Sequence, residues 1–270
     1  MWFSPLNPPV RQWRGQRVWL VGASSGIGAA LAQALLARGA RVALSARNAA
    51  QLQAVAGSYA ASTASPAQPA LALVLPLDVT QPEQWAQAHA RLQEQWQGVD
   101  LVIFCAAQYR PERSWEVQAA AARGTIEANL ASVYYGIEVI LPALLERGAG
   151  AIALVASVAG YMGLPKASVY GPTKAALINL AEVLYADLHR RGLGVFLINP
   201  GFVRTPLTDL NDFKMPAMID APEAARRILA GFSRGDFEID FPRRFTRVLR
   251  LLSRLPYRLR FALLDRMMGR

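Results

Sequence analysis

Short, almost unbroken apolar runs alternate along this chain with stretches of helical periodicity, and that alternation leaves few folds open. The runs Arg17–Val21, Arg41–Ser45, Leu71–Leu77, Asp100–Ala106, Ala151–Ala156 and Gly194–Asn199 predict six strands. A strand without polar alternation is covered on both faces, the condition of a parallel sheet between helical layers. Ala29–Arg38 (closed by Gly39), Gln51–Ala60, a segment ending at Trp96, Glu116–Tyr135, Ile137–Glu146 and Tyr170–Arg190 predict the helices. Thr80-x-x-Glu83 has the form of a capping box opening the third of these. The expected fold is α/β, a doubly wound parallel sheet in three α/β/α layers.

The first strand runs straight into Gly22-Ala23-Ser24-Ser25-Gly26-Ile27-Gly28 and then a helix. Glycine at 22 permits a tight turn, at 26 it clears space for a ligand against the backbone, and at 28 it lets the helix pack on the strand. The helix start offers unpaired N–H groups and a positive dipole end to a pyrophosphate. This is the arrangement of a Rossmann-type dinucleotide site. About 20 residues past such glycines an NAD site ordinarily carries an acid for the ribose 2′-hydroxyl. Ala46 stands there instead, with Arg47 beside it. A guanidinium suits the 2′-phosphate of NADP by charge and forked geometry, so NADP (NADPH) is expected over NAD.

Ser157 follows the fifth strand, Tyr170 comes thirteen residues later, and Lys174 four after that. If Tyr170 opens a helix, residues 170 and 174 lie one above the other on one face. A free phenol titrates near 10 and is a poor proton carrier at neutral pH. An ammonium one turn away is expected to lower that value. Ser157 is placed to hold a substrate carbonyl or hydroxyl oxygen.

With these residues in view, the chain resembles the short-chain dehydrogenase/reductase family over residues 14 to 235. The resemblance rests on the glycine turn at 22–28, Asp78-Val79, Asn129, Ser157, Tyr170-x-x-x-Lys174 and Asn199-Pro200-Gly201. It implies hydride transfer between NADP(H) and a carbonyl or alcohol substrate, with Ser157, Tyr170, Lys174 and Asn129 catalytic. It also implies that Asp78 contacts the adenine and that Asn129 holds a water in a proton relay. Lys174 would bind ribose hydroxyls, while Pro200, Gly201, Val203 and Thr205 would lie against the nicotinamide carboxamide. Homodimers or homotetramers are usual in that family. The sequence departs from the pattern at Phe104-Cys105-Ala106-Ala107, where the family has Asn-Asn-Ala-Gly. Ala106 still lets the adenosine ribose approach, but side-chain hydrogen bonds to the central sheet are lost. Cys105, inside an apolar strand, reads as a buried and inert thiol. Val21 replaces the usual threonine.

The remaining features set the organisation. The chain of 270 residues divides into a loosely structured, proline-containing lead-in (1–13), the nucleotide-binding catalytic domain (14–240) and a tail (241–270). Residues 61–69 read as a small-residue loop, and 206–216 as an apolar lid that points, with Tyr161 and Met162, to an apolar substrate. A single cysteine excludes an intrachain disulfide, and two histidines leave no metal signature. No apolar run reaches the length of a membrane span and no signal peptide is recognised, so a cytoplasmic protein is expected.

The tail holds nine arginines against one acid, +8 of the total +10. Arg243, Arg247, Arg250 and Arg254 share one helical face, with Phe245, Val248, Leu249 and Leu252 on another; beyond Pro256, residues 257–268 continue the pattern. Such a stretch either lies on an anionic membrane surface, making the protein peripheral on the inner face, or packs on the domain or a second subunit. Nucleic acid is not expected as a partner, since no reading motif accompanies the charge. The alternative to an enzyme is a non-catalytic NADP-binding regulatory or membrane-surface scaffold protein.

Overall fold

The computed structural model describes residues 4–62, 71–213 and 215–268, so most of the expected loop at 61–69 and Lys214 in the expected lid lie outside the described residues. In chain order the elements are β1 (Arg17–Val21), α1 (Gly26–Leu36), β2 (Arg41–Ser45), α2 (Ala49–Ser62), β3 (Ala72–Val74), α3 (Pro82–Trp96) and β4 (Leu101–Phe104). Then come α4 (Ala119–Ile126), α5 (Ser132–Arg147), β5 (Gly150–Val155), α6 (Tyr170–Leu188), β6 (Leu193–Pro200), β7 (Val203–Arg204) and β8 (Ile219–Asp220). The chain closes with α7 (Ala221–Arg234), β9 (Glu238–Phe241), α8 (Arg243–Ser253) and α9 (Tyr257–Met268).

Seven strands form one parallel sheet in the order β3-β2-β1-β4-β5-β6-β9. The winding reverses between β1 and β4, and in such sheets ligands bind in the crevice outside the carboxyl ends of the strands at that point. Side-chain alternation splits the core between the two faces. Val18, Leu20, Val42 and Leu44 pack with Leu31 and Leu35 of α1, Leu52 of α2 and Ile228 and Phe232 of α7. Trp19, Val21, Val102 and Phe104 pack with Trp85 of α3, Ile140 of α5 and Leu177 of α6. Each large apolar side chain taken fully out of water contributes roughly 1.5–3 kcal/mol. At the opposite end of β1, Arg17 donates from Nε and Nη2 to the Asp100 carboxylate at 3.0 and 2.5 Å.

Four local expectations are corrected. The capping box does not form: α3 is preceded by Gln81 without a side-chain cap, because Asp78 Oδ1 accepts both the N–H and the hydroxyl of Thr80 at 3.0 and 2.9 Å. No break occurs at Gly136; helical structure is continuous from Ala119 to Arg147 through a π-helical turn at Glu127–Ala131. A Cβ at Gly136 would collide with Phe104 and Trp85, so glycine is there for close helix–sheet packing. That 119–147 run is also long and apolar enough to cross a membrane by length and composition, whereas no such run was expected; its buried side chains lie in the core against α3 and α6. Finally, the described part of the lead-in is tied down. Asn7 exchanges hydrogen bonds with the backbone of Val195 at 2.7 and 2.8 Å, and Trp13 packs edge-on against Phe232.

Candidate active site

The turn after β1 is shaped by what its glycines lack. Gly22 has φ +93°, and a Cβ there would overlap the backbone of Ala106 at the end of β4. A Cβ on Gly28 would overlap the Gly22 carbonyl oxygen. The Ser45 carbonyl accepts the N–H groups of Gly22 and Ala23 at 2.7 and 3.1 Å, so β2 holds the turn in place. Ser25 precedes α1 in extended conformation without a side-chain cap, and no acid lies in the first turn. The N–H groups of that turn therefore face the cleft with a positive dipole end and no competing carboxylate.

The cleft itself is about 400 Å³. It is lined by Gly22, Ser24, Ser25, Gly26, Ile27 and Gly28 from the turn, Arg47 after β2, Asp78 and Val79 after β3, and Ala106 after β4. Ser157, Tyr170 and Lys174 line it from the β5 and α6 side, and Pro200, Gly201, Val203 and Thr205 from beyond β6. Residues distant in sequence thus meet at the carboxyl ends of the strands. Asn129 is the exception among the expected residues. It is buried behind the wall, in the π-helical turn, where its amide donates to the Gln108 carbonyl (2.9 Å) and to Thr173 Oγ1 (3.2 Å) and accepts from the Gln108 N–H (2.6 Å). This clamp steadies the exit of β4, the segment where the usual asparagines are missing.

Tyr170 is the first residue of α6 and Lys174 follows one turn later. Lys174 Nζ lies 5.5 Å from the Tyr170 ring centroid and donates to the Val155 carbonyl at 2.8 Å. Burial holds the ammonium down to about 8. The expected acidification of the phenol is not what this geometry yields. Burial pushes Tyr170 well above the ordinary phenol range, a hydrogen bond with Ser157 pulls the other way, and nearby Tyr109 and Cys105 add to the rise. Taking the phenolate out of water costs more than the Ser157 hydrogen bond returns. Ser157 Oγ accepts the Ala159 N–H at 3.1 Å, which fixes the serine at the rim. Cys105 is not the buried strand residue expected: it lies one residue past β4, partly exposed in the cleft wall, where desolvation raises the thiol to about 11 and keeps it protonated at neutral pH.

Several cleft residues were not singled out from sequence. The Tyr109 ring stands edge-on to Tyr170 at 4.9 Å, and its hydroxyl donates to Asn211 Oδ1 at 2.6 Å. Lys166 pairs with Asp212 at 2.5 Å, so two links tie the 206–216 segment across the cleft. Phe202 and Phe213 also line it, with ring centroids 5.9 Å apart. The signal available for Tyr109 was its place just past a strand's carboxyl end; no local motif marks it.

Residues 16–214 match the family model described as short chain dehydrogenase. The chain belongs to the short-chain dehydrogenase/reductase family. It is 33% identical over 239 residues to an uncharacterized oxidoreductase of Myxococcus xanthus (strain DK1622), covering 88% of this chain and 91% of that protein. It is 30% identical over 210 residues to an uncharacterized oxidoreductase of Staphylococcus aureus (strain MW2), covering 78% and 87%. Among solved structures it is similar to a short-chain dehydrogenase from Sphingobium yanoikuyae in complex with NADPH (TM-score 0.76, 25% identity, 90% and 97% covered). The same fold is seen in a short-chain dehydrogenase/reductase from Burkholderia phymatum in complex with NAD (TM-score 0.81, 22% identity, 90% and 94% covered). This dehydrogenase/reductase is accordingly an NAD(P)-dependent oxidoreductase. Its own residues fit a nicotinamide dinucleotide: a Cβ-free cradle, an uncapped helix start and a cleft of suitable size.

Proposed function

We propose that the protein interconverts an apolar carbonyl compound and its alcohol with NADP(H), Tyr170 acting as general acid and base. The observation that carries this reading is the convergence of Ser157, Tyr170 and Lys174 on the same cleft as the glycine turn. A bound nicotinamide supplies or accepts the hydride. The protein's part is to hold the substrate oxygen and move a proton at it. Ser157 Oγ orients that oxygen at the rim of the cleft. Tyr170, kept above the ordinary phenol range by burial, carries its proton at neutral pH. That is the form required to protonate a carbonyl oxygen as it is reduced. Lys174 supplies positive charge beside the phenol as its proton leaves.

Arg47 supports NADP over NAD: it is exposed at the cleft edge, where a 2′-phosphate would meet it, and no acid occupies that position. Asn48 Oδ1 accepts the Gln51 N–H at 3.1 Å and caps α2, so the strand–helix turn that carries Arg47 is held. Phe202, Leu207, Phe213 and Tyr109 support an apolar substrate. Exposed Ile126, Tyr134 and Val183 on α4, α5 and α6 support a homodimer or homotetramer.

The test is oxidation of NADPH and of NADH with a panel of apolar ketones and aldehydes. Tyr170→Phe should lower kcat by at least a hundredfold while leaving NADPH binding intact, since general acid–base catalysis is worth about 10²–10⁴-fold. Arg47→Asp should raise KM for NADPH and not for NADH. Indifference of turnover to Tyr170→Phe would refute the reading.

A further inference from the structure

The two tail helices have a double character. Inward, Leu249, Leu252 and Leu264 are buried against Val158 and Met162, just past Ser157, and Phe245 stands 5.6 Å from Phe202 of the cleft wall. Arg250 is anchored too, by an ion pair with Glu238 and a 3.0 Å hydrogen bond to the Tyr161 hydroxyl. Outward, Arg244, Arg247, Val248, Leu251 and Arg254 follow one another at helical spacing opposite the buried side of α8, and all are exposed. On α9 the exposed residues include Tyr257, Arg258, Leu259, Phe261 and Arg266. Leu251 is 66% exposed, Tyr257 69% and Phe261 55%, and the last two rings stack at 5.7 Å. Among the described residues Arg244, Arg247, Arg254, Arg258 and Arg266 make no ion pair, and Asp265 is the one acid on the two helices.

We propose that the outer face of α8 and α9 docks on an anionic lipid surface. Charge complementarity selects this occupant. Against a second copy, two arginine-studded faces would meet with almost no carboxylates between them, and like charges juxtaposed at an interface are strongly disfavoured. Against nucleic acid, Val248, Leu251 and Leu259 would gain nothing from a phosphate backbone. A lipid interface rewards both components at once, aliphatic and aromatic side chains entering the headgroup boundary while arginines meet lipid phosphates. Because the inner face of the same helices abuts the cleft wall, docking holds the substrate end of the cleft against the bilayer. That last consequence rests on the oxidoreductase reading; the docking does not, and is measured by partition rather than turnover.

The experiment is flotation of the full chain with vesicles of phosphatidylglycerol and phosphatidylcholine, against phosphatidylcholine alone. Flotation is expected on the anionic vesicles only and should disappear at high salt. With each arginine near the surface worth roughly fivefold, R244E/R247E/R254E should reduce partition by more than about a hundredfold, and R244Q/R247Q by roughly 25-fold. L251S/F261S should also weaken it. Thermal unfolding of each variant checks that the exposed substitutions leave the fold intact. Three results would overturn the proposal: equal partition on neutral and anionic vesicles, no partition on anionic vesicles (with a dimer that L251S/F261S dissociates, the face would instead be a subunit interface), or binding to a duplex oligonucleotide in place of vesicles.

Discussion

Replacing Lys174 with methionine should make the protein more stable and leave it inactive. The side chain is 1% exposed, and burial holds its pKa down to about 8. In an unfolded chain the same amine titrates at about 10.4. Between those two values the unfolded state binds the extra proton, so stability rises with pH across that window. The folded pKa is the lower one: the penalty is full below about pH 8 and is gone above the unfolded value. The gap between the two corresponds to about 3 kcal/mol at pH 7. Methionine keeps much of the volume but leaves the Val155 carbonyl without the bond it accepts from Nζ, a loss of about 1 kcal/mol. The net gain expected at pH 7 is therefore about 2 kcal/mol. Urea unfolding of both proteins at pH 7 and near pH 10 measures it. The variant should lead at pH 7 and lose that lead at the higher pH, while NADPH oxidation falls to background. A less stable variant at pH 7, or a difference that does not change with pH, would refute the reasoning.

Gly28→Ala should cost about 3 kcal/mol or more, because its Cβ meets the rigid Gly22 carbonyl; thermal unfolding and a fluorescence titration with NADPH would both register it. Asp100→Asn should destabilise by about 1–3 kcal/mol at neutral pH. Burial alone would raise this carboxyl, but the Arg17 hydrogen bonds outweigh it and hold the pKa below the usual carboxylate range. The contribution is therefore present above the unfolded value and lost as pH falls through the folded one, so acid unfolding curves of the two proteins should converge at low pH. Arg250→Ala should free the tail, since Glu238 loses its cation while still accepting from Tyr161 and Asn199; faster proteolytic release of residues beyond 242 is the readout.

How far the sequence could be read follows from where each element's information sits. β1 and β2 have the bounds expected of them because in each an arginine opens a short apolar run, Val18–Val21 and Val42–Leu44, that closes at a turn. β9 was not foreseen, and its composition explains why. Ile239 and Phe241 face the core, while Glu238 meets Arg250 and Asp240 accepts from Thr246. An edge strand covered by a basic helix need not be apolar, so it does not look like its neighbours. Thr80 illustrates the same limit at short range: a capping motif competes with Asp78 two residues away, and only the folded turn shows which partner wins.

The sequence by itself determined six of the seven sheet strands, the glycine turn and the spacing of Ser157, Tyr170 and Lys174, because backbone conformation and helical periodicity are local properties written in consecutive residues. Tertiary structure alone decided that Asn129 sits behind the cleft, that Tyr109 stands against Tyr170, and that the tail turns Leu249, Leu252, Leu264 and Arg250 inward and Leu251, Arg244, Arg247 and Arg254 outward. It also decided the protonation of the phenol and the amine. Their pKa values depend on how much water the surrounding fold removes, and no spacing along the chain encodes that.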